Sequence, residues 1–78
     1  MSEIAKTVEK RIRNNRAKLG LSQEDLAEFA GCHPTYIGQF ERGEKNATIE
    51  TIERISKALD VPLSKLFEKL GGNKEGKI

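Results

Sequence analysis

The stretch from Ser22 to Gly43, SQEDLAEFAGCHPTYIGQFERG, constrains this chain more than any other, because it packs the start and stop signals of two short helices into one run. Ser22 is a hydroxyl N-cap ahead of Gln23, Glu24 and Asp25, which supply acidic groups for the positive end of a helix and partners for a capping box. Leu26, Ala27 and Ala30 recur at helical spacing, and Gly31 can take the positive φ of a helix exit. A helix over about Gln23 to Ala30 is predicted. Proline suits the first position of a helix and pushes the preceding residue out of the α region. His33 is therefore read as an N-cap, and Pro34 as the start of a second helix running to about Glu41 or Arg42 and ended by Gly43. At 100° per residue, His33, Ile37, Phe40 and Glu41 share one side, while Thr35, Gln39 and Arg42 share the other with Gly38 at its edge. The second helix thus has an anchoring face and a polar presenting face.

Two short helices with a glycine turn between them form either a helix-turn-helix, whose second helix enters the DNA major groove, or an ordinary αα-corner. The residues discriminate further. GLSQEDLAEFAG, then TYI, then ERGEKN, in that order, resemble the lambda-repressor-like (Cro/CI, Xre-type) DNA-binding family over about Val8 to Leu70. Within that family the resemblance points to small stand-alone regulators such as restriction–modification controller proteins and phage-type repressors.

The flanking sequence predicts three further helices. Val8, Ile12 and Leu19 trace a stripe over about Thr7 to Leu19, stopped by Gly20, with residues 1–6 expected to fray. Thr48 caps an amphipathic helix over about Ile49 to Leu59, carried by Ile49, Ile52, Ile55, Ser56 and Leu59. Leu63, Leu66, Phe67 and Leu70 support a last helix over about Leu63 to Leu70, and residues 71–78 read as a disordered tail. No strand-like alternation appears, so the expected architecture is all-α, a compact five-helix lambda-repressor-like domain over 7–70 with the helix-turn-helix at helices 2 and 3.

Composition narrows the function classes. The 78 residues allow one domain, which buries only about 60% of the surface its unfolded chain exposes. The net charge of +2 is too small to argue nucleic-acid binding. Its distribution matters more: residues 1–20 carry six basic and two acidic side chains, 21–60 carry four and eight, and 61–78 carry four and two. The motif region is acidic, so DNA binding must rely on particular side chains and helix N-termini rather than bulk charge. One cysteine, no apolar run of membrane length and no signal-like opening segment fit a cytoplasmic protein with no membrane role.

No catalytic constellation is present. Cys32 and His33 are single examples of their types, and Glu24, Asp25 and Glu28 are explained by the helix dipole rather than by a metal-dependent nuclease site. No enzyme activity, metal, cofactor or small-molecule ligand is expected. Cys32 reads as a small packed hydrophobe in preference to a redox switch.

The DNA-contact expectations are specific. Thr35 and Gln39 present a hydroxyl and an amide for base reading, an amide being able to pair bidentately with adenine. Gly38 would permit close approach to a base, and the Tyr36 hydroxyl would reach a base or phosphate unless its ring packs. The amide of Gln23 and the N–H groups beside it suit a phosphate, the role that the resemblance also implies. The resemblance places Arg42, Lys45 and Asn46 on the DNA backbone, and His33 could join them from its cap position. Arg16 lies in the apolar stripe and Glu41 on an inward face, positions where the family places a structural ion pair. Pro34 departs from the family pattern, since it offers no donor where relatives place a base-reading side chain. Double-stranded DNA is the expected partner, with a second copy of the chain joined through Leu63, Leu66, Phe67 and Leu70, whose stripe exceeds what one short helix needs. An antitoxin-like or coactivator-like protein-binding module, or a purely structural helical domain, are the rival readings.

Overall fold

The computed structural model describes residues 3–70, and the regular elements in that span are five helices: α1 Glu3–Lys18, α2 Gln23–Ala30, α3 Pro34–Glu41, α4 Ile49–Leu59 and α5 Leu63–Phe67. Local chemistry sets most of the boundaries. Ser22 Oγ accepts the Asp25 amide at 2.9 Å while the Asp25 carboxylate accepts the Ser22 amide at 3.0 Å, a complete capping box. Gly31, at φ +73°, closes α2 in the left-handed conformation. Thr48 caps α4 through the Thr51 amide at 3.1 Å. Asp60, at φ 57°, ends α4 in the same left-handed geometry that glycine provides for α2.

One apolar core joins all five helices. Ile12, Leu26, Ile37, Ile55, Leu59 and Leu66 are its largest fully enclosed side chains. The α2–α3 pair packs against this core, with α4 beneath α2 and α1 touching α3, α4 and α5. Burying such side chains contributes about 1.5–3 kcal/mol each, and the apolar face common to the helices holds the helix-turn-helix rigid.

Three expectations require correction. First, α1 starts at Glu3 and not near Thr7, so residues 3–6, expected to fray, are helical. Thr7 Oγ1 donates to the Glu3 carbonyl at 2.9 Å, and Ile4 and Ala5 line an apolar groove with residues of α3, α4 and α5. Second, Leu19 lies beyond the end of α1 and is 53% exposed, so the stripe consists of Val8 and Ile12. Third, α5 ends at Phe67 and not at Leu70. Glu68 is extended and Lys69 has φ 59°. Arg11 Nη1, from the middle of α1, donates to the carbonyls of Lys65, Leu66 and Glu68 at 3.3, 3.1 and 2.9 Å, satisfying the orphan acceptors at that terminus. The expected tail, 71–78, lies outside the described residues.

Candidate nucleic-acid interface

The site is built from the inside outward, beginning with a buried ion pair. Arg16 Nε and Nη2 donate to Glu41 Oε2 and Oε1 at 2.7 and 2.9 Å, a bidentate fork, and Nη1 donates to the Leu21 carbonyl at 2.8 Å. The Glu41 side chain is 2% exposed. Its hydrogen bonds raise the Arg16 guanidinium above its ordinary value, outweighing the opposing effect of desolvation. Gln23, the first residue of α2, joins the pair by donating from Nε2 to Glu41 Oε1 at 3.1 Å. Three helices therefore meet on one carboxylate, and the angle between α2 and α3 is tied to α1.

The start of α3 follows from His33 and Pro34. His33 Nδ1 accepts the Thr35 amide at 3.1 Å, which is the expected cap bond; in the neutral ring the proton then sits on Nε2, leaving that N–H available outside. Thr35 is exposed and Gln39 partly so, while Ile37, Phe40 and Glu41 face inward. The helix thus has the two faces expected from its spacing. Lys45 and Asn46 are exposed in the segment that follows it.

Two residues expected to read bases occupy different places. Gly38 is buried, not presented at the edge of the outward face. A Cβ there would stand 3.2 Å from both Gln23 Oε1 and Arg42 Nη1, so the missing side chain makes room for two of the protein's own polar groups to cross α3. Tyr36 stacks on Phe40, with ring centroids 6.4 Å apart and planes 19° from parallel, and its hydroxyl donates to the Asn46 carbonyl at 3.2 Å. Burial raises the phenol's pKa. Tyr36 braces the loop after α3, and its hydroxyl proton is already engaged there.

Arg42 also has a partner within the chain, Glu44. Its Nε and Nη2 donate to Glu44 Oε2 and Oε1 at 2.9 and 3.1 Å. Both side chains are more than half exposed. The hydrogen bonds raise the guanidinium's pKa and lower that of the carboxyl. The only hint in the sequence is the spacing Arg-Gly-Glu, in which Gly43 at φ +78° turns the chain back on itself.

Of the four residues expected at a dimer interface, Leu66 is fully enclosed in the chain's own core and has no surface to offer. Leu63, Phe67 and Leu70 are partly exposed. The larger apolar exposure lies beside Phe67, where Ile4 and Ile49, 42% and 63% exposed, border a groove of about 230 Å³ with Val8 and Ala47. Cys32 is partly buried, and burial pushes its thiol pKa up, away from the reactive thiolate. No group of metal-ligating side chains is formed among the described residues, and none of their helices is long and apolar enough to cross a membrane.

The comparisons with known proteins agree with this architecture. A helix-turn-helix family profile matches residues 12–66. The control protein C.SmaI of Serratia marcescens is 41% identical over 69 residues, covering 88% of this chain and 82% of that protein. The crystal structure of the restriction–modification controller protein C.AhdI from Aeromonas hydrophila superposes with a TM-score of 0.78 at 36% identity, over 86% of this chain and all of that one. The controller protein C.Esp1396I, solved as a tetramer with its natural 35 base-pair operator, gives 0.81 at 37% identity, over 90% of this chain and 92% of that one. The chain belongs to the helix-turn-helix family of DNA-binding regulators that includes the restriction–modification controller proteins.

Proposed function

We propose that this protein is a sequence-specific transcription regulator that binds a two-fold related operator as a homodimer, with α3 in the major groove and half-sites about one DNA turn apart. The observation that carries the reading is the outer face of α3: Thr35 and Gln39 project from a helix whose inner face is locked to α1 and α2 through Glu41. Thr35 and Gln39 read bases. Gln23, the outer N–H of His33, Arg42, Lys45 and Asn46 surround them and hold phosphates. Gly38 and Tyr36 act by shaping this face. The role is one of binding, without catalysis, in the cytoplasm.

Self-association uses the apolar groove at Ile4, Ile49 and Phe67, together with the partly exposed Leu63 and Leu70. A second copy is the fitting occupant because a two-fold operator requires one, and because the groove adjoins the loop that follows α3. Substituting Ile49→Arg should yield a monomer in sedimentation while leaving the fold intact; an unchanged dimer places the interface elsewhere.

The decisive experiment is selection of binding sites from random duplex DNA. The expected product is a two-fold motif whose affinity falls steeply with salt. Alanine at Gln39 should relax preference at one position of each half-site by about 1–3 kcal/mol. Recovery of no motif overturns the reading and favours a protein-binding module.

A further inference from the structure

Arg42 in the free chain is exposed but already paired. Its Nη1 stands over Gly38, and the side-on Nε–Nη2 edge of the fork, one of the two edges that recognise oxyanions bidentately, is filled by Glu44. A carboxylate presented bidentately to a guanidinium offers much the same pair of acceptor oxygens as a phosphate. Arg42 and Lys45 are the only cations between Leu21 and Ala47, against Glu24, Asp25, Glu28, Glu41 and Glu44. Neutralising one of two cations in an acidic reading head is a large fraction of its local positive charge.

We propose that Glu44 is an intramolecular competitor of the DNA backbone, which occupies Arg42 until a phosphate displaces it and thereby sets the protein's affinity for DNA. The inference rests on the reading of Arg42 as a phosphate contact. Docking exchanges one anion for another at the same guanidinium and releases a carboxylate that then faces the duplex, so each complex carries the cost of opening the clamp. Because the pair is exposed, that cost is small enough for DNA to overcome.

The test is a four-protein cycle of wild type, Glu44→Gln, Arg42→Ala and the double variant. Each is titrated against a duplex of random sequence and against the duplex recovered by selection, at fixed salt. Glu44→Gln is expected to tighten binding to both duplexes by roughly two- to five-fold, the range of exposed ion pairs. Arg42→Ala is expected to weaken binding, and in the Arg42→Ala background the gain from Glu44→Gln should vanish. Glu50→Gln, on α4, serves as a control for diffuse charge and should change little. An equal gain in both backgrounds overturns the proposal, because Glu44 then acts only through long-range repulsion. Weaker binding by Glu44→Gln also overturns it, making Glu44 a positioning residue for Arg42. If Arg42→Ala binds as well as wild type, the phosphate role of Arg42 fails first, a result distinct from either of these.

Discussion

The carboxyl-terminal end of α3 carries two arginine–glutamate forks of nearly equal hydrogen-bond length and opposite character. Arg16–Glu41 is enclosed by three helices, and its carboxylate has a third donor in Gln23. Arg42–Glu44 joins residues two apart in a solvated turn. Geometry alone does not separate them; environment does. Inside, the unpaired state of either partner is a stranded charge, so the fork fixes the helices. Outside, water solvates either partner once parted, so the fork can be exchanged for another anion.

Breaking the inner fork should have the largest effect. Glu41→Ala leaves Arg16 and Gln23 without their acceptor, and a loss of about 3–5 kcal/mol is expected, read from denaturant midpoints. A loss under about 1 kcal/mol would place this fork in the same class as the outer one. The region between the forks can be probed by Gly38→Ala. Alanine gains about 1 kcal/mol of helix propensity, and the groups its Cβ would meet are the ends of flexible side chains that can move aside. Stability should therefore hold or rise while DNA affinity falls, because Gln23 is pushed from its place at the phosphate-facing start of α2. A parallel loss of both would show that Gly38 serves packing alone.

A third carboxylate sharpens the comparison by having no arginine. Glu9 is buried on α1 at the edge of the apolar groove, and no described residue donates a hydrogen bond to its carboxylate. Burial raises its pKa. A carboxyl whose folded pKa lies above its unfolded one favours folding while protonated, and that contribution is lost as pH rises through the folded value. Glu9→Gln should accordingly raise the melting temperature at pH 7, with the gain shrinking as pH falls through the raised folded value and gone once pH lies below the ordinary glutamate value. A gain independent of pH would trace the effect to packing. Smallest of all, Arg42→Ala should leave the melting temperature unchanged while lowering the slope of log affinity against log salt by about one. A drop in melting temperature would bring the outer fork into the scaffold.

How far the sequence discloses this molecule depends on how far apart the interacting residues lie. The caps at Ser22, His33 and Thr48 and the exit at Gly31 are decided within three or four residues, and the structure has them where the spacing predicts. The two faces of α3 follow from its periodicity. The Arg16–Glu41 pair spans 25 positions and was legible only because a charge in an apolar stripe needs a partner and the family resemblance supplies one. Where neither help exists, reading from sequence falls short. The start of α1 depends on Ile4 and Ala5 meeting residues of α3, α4 and α5, and the early end of α5 depends on an arginine more than fifty residues away. Leu66 looks the same in a stripe whether it faces its own core or a second chain. Gly38 reads as room for a base until Gln23 and Arg42 are seen to fill it.

The reach of Arg11 also bears on what may be cut away. A five-residue helix has too few internal hydrogen bonds to persist alone, and the end of α5 is held by one guanidinium from α1. The family profile begins one residue after that arginine and stops within α5. A fragment trimmed to the profile would keep the reading helices and lose the tie between the chain's two flanks, so amide exchange in α5 is a remote gauge of the integrity of α1.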